Sequence, residues 1–247
     1  MNLRLIIPWF LFFMALFLRG IGAFHGLEYG LLIHTDEEPI ILFANRLAQG
    51  IWKIPEWSYC PLWTYIMALS IKMDAVFRSL WDTWLGWGFG QQVFDHMRAA
   101  MVARILGILF GALGIFFVWR IGIKHFNQRI AFWAALLLAL SPGHILFSHY
   151  GYLDIPQITV LLLALDQIFH IHRTGLLKHY IFCGIWIGFS MAIKISAAPF
   201  VLVLWTVHIL KYKNTQRSKL IWGSLVAFLA YAVWMPYFFL NPEFMIG

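Results

Sequence analysis

Apolar residues run through this chain in stretches long enough to cross a bilayer, and short segments rich in Lys and Arg separate them. A helix needs about 20 mostly apolar residues, with a range of roughly 17–25, to traverse the hydrocarbon core. That spacing predicts spans near 4–22, 99–121, 130–148, 154–171, 180–194, 196–210 and 220–238. The fifth and sixth are short and meet at Lys194-Ile195-Ser196. No periodic repeat appears, so the expectation is one domain over 1–247: an all-α, polytopic transmembrane bundle of about seven spans.

The polar segments orient the bundle. Arg120, Lys124 and Arg129 fall between spans two and three, Arg173 and Lys178 between four and five. Lys211, Lys213, Arg217 and Lys219 fall between six and seven. Together with Arg4 they lie on one face, which the positive-inside rule makes cytoplasmic. The long segment 23–98 is thereby sent outside.

Within that loop, residues 39–49 read as a short amphipathic helix. Pro39 suits a first helical position, and Ile40, Phe43, Ala44 and Leu47 recur at helical spacing. Farther on, Pro61–Ile71 and Trp81–Phe89 are apolar but too short to span. With Trp57, Tyr59, Trp63, Tyr65, Trp81, Trp84 and Trp87 they suggest separate helices lying in the headgroup region, where amphipathic rings collect.

Composition agrees with the pattern: 62% of residues are hydrophobic, only 12% are charged, and the mean hydropathy is +0.76. A soluble domain is nearer a quarter charged. The net charge of +7 has no basic block with a polar surface around it, so a nucleic-acid partner is excluded in favour of basic cytoplasmic loops. The two cysteines, Cys60 and Cys183, have no metal-type spacing and suggest no disulfide. The apolar run of Met1–Gly22 lacks a small-residue cleavage site and reads as a retained helix.

The acids sort to one side. Glu28, Asp36, Glu37, Glu38, Glu56, Asp74, Asp82, Asp95, Asp154 and Glu243 all fall on the outer side, and Asp166 alone does not. Arg19, Arg98, Arg104 and Lys194 sit near the outer helix ends. Ionisable groups at that depth face a polar cavity or pair with one another. The inference is an outward-facing polar pocket walled by spans one, two, four and five.

Three consecutive carboxylates stand out in His34-Thr35-Asp36-Glu37-Glu38-Pro39. Asp36 and Glu37 suit a general base or ligands to a divalent cation held by oxygen, and equally the cap of the helix that follows. Asp154 is either the cap of span four, with Pro156 in its first turn, or a second carboxylate of the same site. Arg98, Arg104 and Lys194 can bind a phosphate, or can snorkel and pair with nearby acids. His34, His144 and His149 lie near the outer face, whereas His170, His172 and His179 cluster inside. No HExxH or similar spacing favours zinc. Asp166 lies about 18 Å below Asp154 on a regular helix and is expected to pair within the bundle.

The order of these features resembles the GT-C glycosyltransferases, and within them the branch of protein O-mannosyltransferases and bacterial lipid-linked-sugar transferases. His34-Thr35-Asp36-Glu37 is similar to their His-Pro-Asp-Glu motif, with Thr35 in place of proline. Further matches are Tyr59-Cys60-Pro61-Leu62-Trp63-Thr64-Tyr65, Arg104-Ile105-Leu106-Gly107 and Ser141-Pro142 through Ser148-His149 to Asp154. Gly188 through Lys194 and Pro236-Tyr237 through Asn241-Pro242 complete the series.

The resemblance implies an inverting membrane enzyme that moves a sugar from a polyprenyl- or dolichyl-phosphate donor to an acceptor hydroxyl at the outer or luminal face. The acceptor would be a protein, lipid or glycan. By position it makes Asp36 the catalytic carboxylate, with Glu37 beside it and Asp154 the second acid. Arg98, Arg104, His149 and Lys194 would face the substrate and its phosphate. A divalent metal such as Mg2+ or Mn2+ on Asp36 and Asp154 is left open. A bacterial inner membrane is expected over the endoplasmic reticulum. Relatives of this type continue through further spans, so the chain is expected to be a shared N-terminal core, truncated C-terminally and inactive by itself. The competing readings are a transporter whose outer acids gather a cation, and an inactive membrane subunit.

Overall fold

The computed structural model describes residues 3–30, 32, 34–51, 61–85, 95–213 and 215–235. Trp57, Tyr59, Cys60, Trp87, Glu56, Glu243 and the 236–242 motif lie outside the described residues, as do the side chains of Glu28, Trp81 and Trp84. The described residues form α-helices α1 (Leu3–Gly20), α2 (Glu37–Ala48), α3 (Pro61–Leu85), α4 (His96–His125) and α5 (Gln128–Leu140). They continue through α6 (Pro142–Ser148), α7 (Asp154–Thr174), α8 (Leu177–Ile193), α9 (Phe200–Tyr212) and α10 (Arg217–Trp234). Short 3-10 turns occupy Leu27–Tyr29 and Ile195–Ala197. The chain is a polytopic helical bundle.

Each expected span falls on helix, but the helices are unequal. By length and composition α4, α7 and the Ile195–Tyr212 stretch qualify as membrane-crossing, and α5 with α6 makes a fourth if the bent pair is one span. Ile6–Gly20 and α8 are apolar but shorter. The bend between α5 and α6 is 59° and sits at Ser141-Pro142. Proline cannot donate to the preceding turn, so it opens a new helix at its first position. The Ser141 side chain accepts from the His144 backbone N–H and caps the new start. The break that the sequence suggests at Lys194 is also present: Lys194 is extended, and the 3-10 turn follows it.

One expectation is corrected. Pro61–Ile71 and Trp81 onward are not separate helices, because a single helix, α3, runs through the polar stretch between them. The charges there are neutralised on the helix surface, with Arg78 donating to Asp74 one turn earlier at 3.1 Å. Such an i,i+4 pair favours continuation of the helix. Leu69, Met73, Val76, Phe77 and Leu80 share one face of α3 and are all more than half exposed, which suits lipid rather than water.

Small residues set the closeness of the bundle. Ala131, Ala135 and Ala139 of α5 are wholly buried, and a Cβ at Gly122 of α4 would stand 2.5 Å from the Ala131 Cα. Between α8 and α10, a Cβ at Gly184 would meet the Gly223 carbonyl oxygen at 2.3 Å, and one at Gly188 the Ala227 carbonyl oxygen at 2.4 Å. Backbones that approach this closely gain dispersion contacts that lipid cannot supply. A separate apolar cluster joins Ile41, Ala44 and Leu47 of α2 to Trp63 and Met67 of α3 and Ala99 and Ala103 of α4. It fastens the short amphipathic helix onto the bundle.

Gly188→Ala is therefore expected to cost about 1–3 kcal/mol through overpacking, seen as a lower thermal unfolding midpoint in detergent. Gly143→Ala, with nothing within 4 Å of the added Cβ, serves as the control and should show no loss.

Candidate functional site

The acidic motif sits where α2 begins, and its adjacent carboxylates Asp36 and Glu37 have different surroundings. Glu37 is fully buried. Its two oxygens accept from Arg104 of α4, Oε1 from Nε at 2.8 Å and Oε2 from Nη2 at 2.9 Å. Oε1 also accepts from the Gly151 backbone N–H at 3.0 Å. Arg104 turns its Nη1 to the carbonyl oxygens of Ala23 and His25, at 2.9 and 3.0 Å. The planar guanidinium matches a carboxylate edge with two parallel hydrogen bonds, which a lysine could not do.

This arrangement changes the expected role of two residues. Arg104 is 1% exposed and each of its three nitrogens is engaged within the protein, so it is committed to Glu37 and the backbone rather than to a substrate phosphate. Glu37 is likewise saturated. The pair ties four pieces of chain together: the start of α2, the middle of α4, the turn after α1 and the loop before α7. Glycine is required at two of these close approaches. A Cβ at Gly107, one turn beyond Arg104, would meet the backbone oxygens of Tyr150 and Ser148 at 2.7 and 2.8 Å, and one at Gly151 would meet the Ala103 Cβ at 2.6 Å.

Asp36, one residue earlier, is exposed. Its backbone N–H donates to His34 Nδ1 at 3.2 Å, and its side chain makes no capping hydrogen bond to α2. The His34 ring stacks on Tyr152 at 5.1 Å and meets Tyr150 at 5.0 Å. The Tyr152 hydroxyl hydrogen-bonds to Asp36. Burial, followed by the nearby carboxylates of Asp36 and Asp154, pushes the Tyr152 phenol up against the opposing pull of Lys194. Tyr152 therefore stays protonated and donates to Asp36. Sequence reading placed Tyr152 in a turn and gave it no part in the site. The signal present was its position two residues from Asp154.

Lys194 closes the group. Its Nζ donates to Asp154 Oδ1 at 2.5 Å and lies 5.0 Å above the Tyr152 ring. Burial alone would lower the Lys194 ammonium, but the hydrogen bond and charge of Asp154, with Tyr152 behind them, carry it upward. The backbone that presents it is fixed by Gln157, whose Nε2 donates to the Lys194 carbonyl at 2.7 Å. Asp36, Tyr152, Lys194 and Asp154 thus form one continuous polar chain between α2, the loop before α7, and the end of α8.

The remaining expected residues lie to either side. Arg98 binds both oxygens of Asp74, at 3.2 and 3.0 Å, and joins α4 to α3 instead of facing the group. His149 is half-buried, and its imidazole is pushed down by burial and by the charges of Arg104 and Arg19. It is neutral near pH 7 and brings no charge to a phosphate. Arg19, wholly buried at the end of α1, reaches the carbonyl oxygens of Ala15, Ala139 and Leu138 and the His144 ring nitrogen at 2.8 Å. It pins α1 to the α5–α6 bend. Arg19, Arg104 and Asp154 lie in α1, α4 and α7, and Lys194 follows α8.

Residues 79–238, more than half of the chain, match the model of the dolichyl-phosphate-mannose-protein mannosyltransferase family. The chain belongs to that family and is an integral-membrane glycosyltransferase of the GT-C type. No curated protein matches it. The matched segment contains Arg104, Gly151, Asp154 and Lys194 but begins after Asp36 and Glu37. The Glu37 contacts with Arg104 and Gly151 are what join the acidic motif to it.

Removing one partner of a buried ion pair leaves an uncompensated charge and costs about 3–5 kcal/mol. Glu37→Gln and Arg104→Met are each expected to lose that much, measured by thermal or denaturant unfolding in micelles. The double variant Glu37→Gln with Arg104→Met should lose less than the two single losses added together.

Proposed function

We propose that this family member transfers a sugar from a polyprenyl- or dolichyl-phosphate donor to an acceptor hydroxyl at the outer or luminal membrane face, with Asp36 as the general base. The observation that carries the reading is the division of labour between adjacent acids. Glu37 is buried and saturated by Arg104, whereas Asp36 is held at the surface by that lock and no basic side chain pairs with it among the described residues. A base must have a free lone pair at a fixed position, and Asp36 has both.

The chemistry follows from the group around it. The acceptor hydroxyl gives its proton to Asp36 as its oxygen bonds to the anomeric carbon, and the bond from that carbon to the phosphate oxygen breaks. A single displacement of this kind inverts the anomeric centre. Negative charge grows on the leaving phosphate, and a preorganised cation there lowers the barrier. Lys194 suits that role. Its ammonium has three donors, one given to Asp154 and one facing Tyr152, which leaves one for a phosphate oxygen. Asp154 orients Lys194, and Tyr152 orients Asp36. The exposed apolar face of α3 provides a lipid-contacting surface next to the loop, suited to a polyprenyl tail.

The test is transfer from a panel of polyprenyl-phosphate sugars in membranes, with Asp36→Asn alongside. General-base catalysis contributes about 10²–10⁴-fold, so a folded Asp36→Asn is expected to lose at least ~100-fold with little change in stability. Activity that survives Asp36→Asn would place the base elsewhere. No transfer by wild type from any common donor would favour the transporter or inactive-subunit reading.

A further inference from the structure

At the opposite, basic end of the bundle a second cluster has no part in this chemistry. Asp166 and His170 stand one turn apart on α7, so both project from one helical face. His125 reaches them from the last residue of α4. Their ligating atoms lie within 4.8 Å of one another. His125 Nε2 and Asp166 Oδ1 are 2.6 Å apart, and Lys124 donates to the other carboxylate oxygen at 2.8 Å. The His125 side chain is fully buried, yet its Nδ1 has no hydrogen-bond partner among the described residues. The His170 ring meets His125 edge-on at 5.0 Å and stacks on His179 of α8 at 4.6 Å.

We propose that His125, Asp166 and His170 bind a divalent first-row transition ion, with Zn2+ as the first choice. Two imidazoles and a carboxylate without sulfur are a donor set suited to such an ion, and three protein ligands leave one position for water. A tetrahedral zinc ion with ligands at ~2.0–2.1 Å holds its donor atoms about 3.3 Å apart. Binding requires the widest pair, within 4.8 Å here, to close to that distance. The ion takes the His125 Nε2 lone pair beside Asp166, and the single proton of the neutral ring moves from Nε2 to Nδ1.

Other features support binding here. The His125 backbone carbonyl accepts from Arg173 at 2.6 Å, and the ring stacks on Phe169 at 4.8 Å, so the ligand is oriented before an ion arrives. Lys124 and Arg173 are the opposing charges. Lys124 is about a third exposed and can leave Asp166 for solvent, while Arg173 is tied to backbone oxygens of Lys124 and His125. The ion would clamp α4 to α7 about 30 Å along α4 from Arg104, taking 1.5 Å per residue. Usual zinc motifs in sequence do not reveal it, because the third ligand comes from a distant helix.

The test is titration of the chelator-washed, full-length chain in micelles with Co2+, read by its visible ligand-field absorption, then displacement by Zn2+. One ion per chain is expected, with affinity falling at least ~100-fold in Asp166→Asn and His170→Ala and unchanged in His172→Ala on the exposed side of α7. Lys124→Met leaves the ligands intact and removes a competing cation, so it should tighten binding about tenfold. Circular dichroism checks that each variant is folded. Wild type that binds neither ion at ~1 mM, affinity unaffected by Asp166→Asn and His170→Ala, or Lys124→Met that fails to tighten binding would each overturn the site.

Discussion

The buried contact between Glu37 and Arg104 is the constraint on which the candidate site depends. Neither charge could remain inside a membrane protein alone, since burying an unpaired ion costs several kcal/mol. Together, with Gly151, Ala23 and His25 completing their hydrogen bonds, they are compensated. Their geometry then fixes where α2 starts, and hence where Asp36 sits. It also fixes the loop that carries Tyr150 and Tyr152. A buried pair of this kind adds little net stability but makes one arrangement of four chain segments much better than any other.

From that lock the site is built outward in steps of decreasing burial. Gly107 and Gly151 allow the loop before α7 to press against α4. The loop presents Tyr152 to Asp36 on one side and to Lys194 on the other. Lys194 is half-buried and reaches Asp154 because α8 stops there and the chain resumes in a 3-10 turn. The hydrogen bonds of Tyr152 to Asp36 and of Lys194 to Asp154 hold these groups in place, which suits a site that must keep a proton acceptor and a cation near one another.

Much of this was legible from the chain alone. Apolar run lengths located the helices, and the uneven sorting of acids pointed to the end of the bundle where Asp36, Glu37 and Asp154 lie. The division between Asp36 and Glu37 was not legible, because adjacent identical charges differ only in which way the helix start turns them. Arg104 looked available for a phosphate because sequence cannot show that its three nitrogens are engaged by Glu37 and two carbonyl oxygens. The continuity of α3 was hidden for a related reason: Asp74 looks like a break until Arg78 and Arg98 are found on it. Asp166 was expected to pair inside the bundle, and its partners are Lys124 and His125. In each case the missing information was a contact across distant sequence.

The most direct test of the central claim, that Asp36 and not Glu37 accepts the proton, is the pH dependence of the transfer rate in wild type and in Asp36 variants. The account predicts that the rate of wild type falls on the acid side in step with one carboxylate. Asp36→Glu should keep that limb, and the residual rate of Asp36→Asn should lack it. An unchanged acid limb in Asp36→Asn would place the base elsewhere and contradict the account.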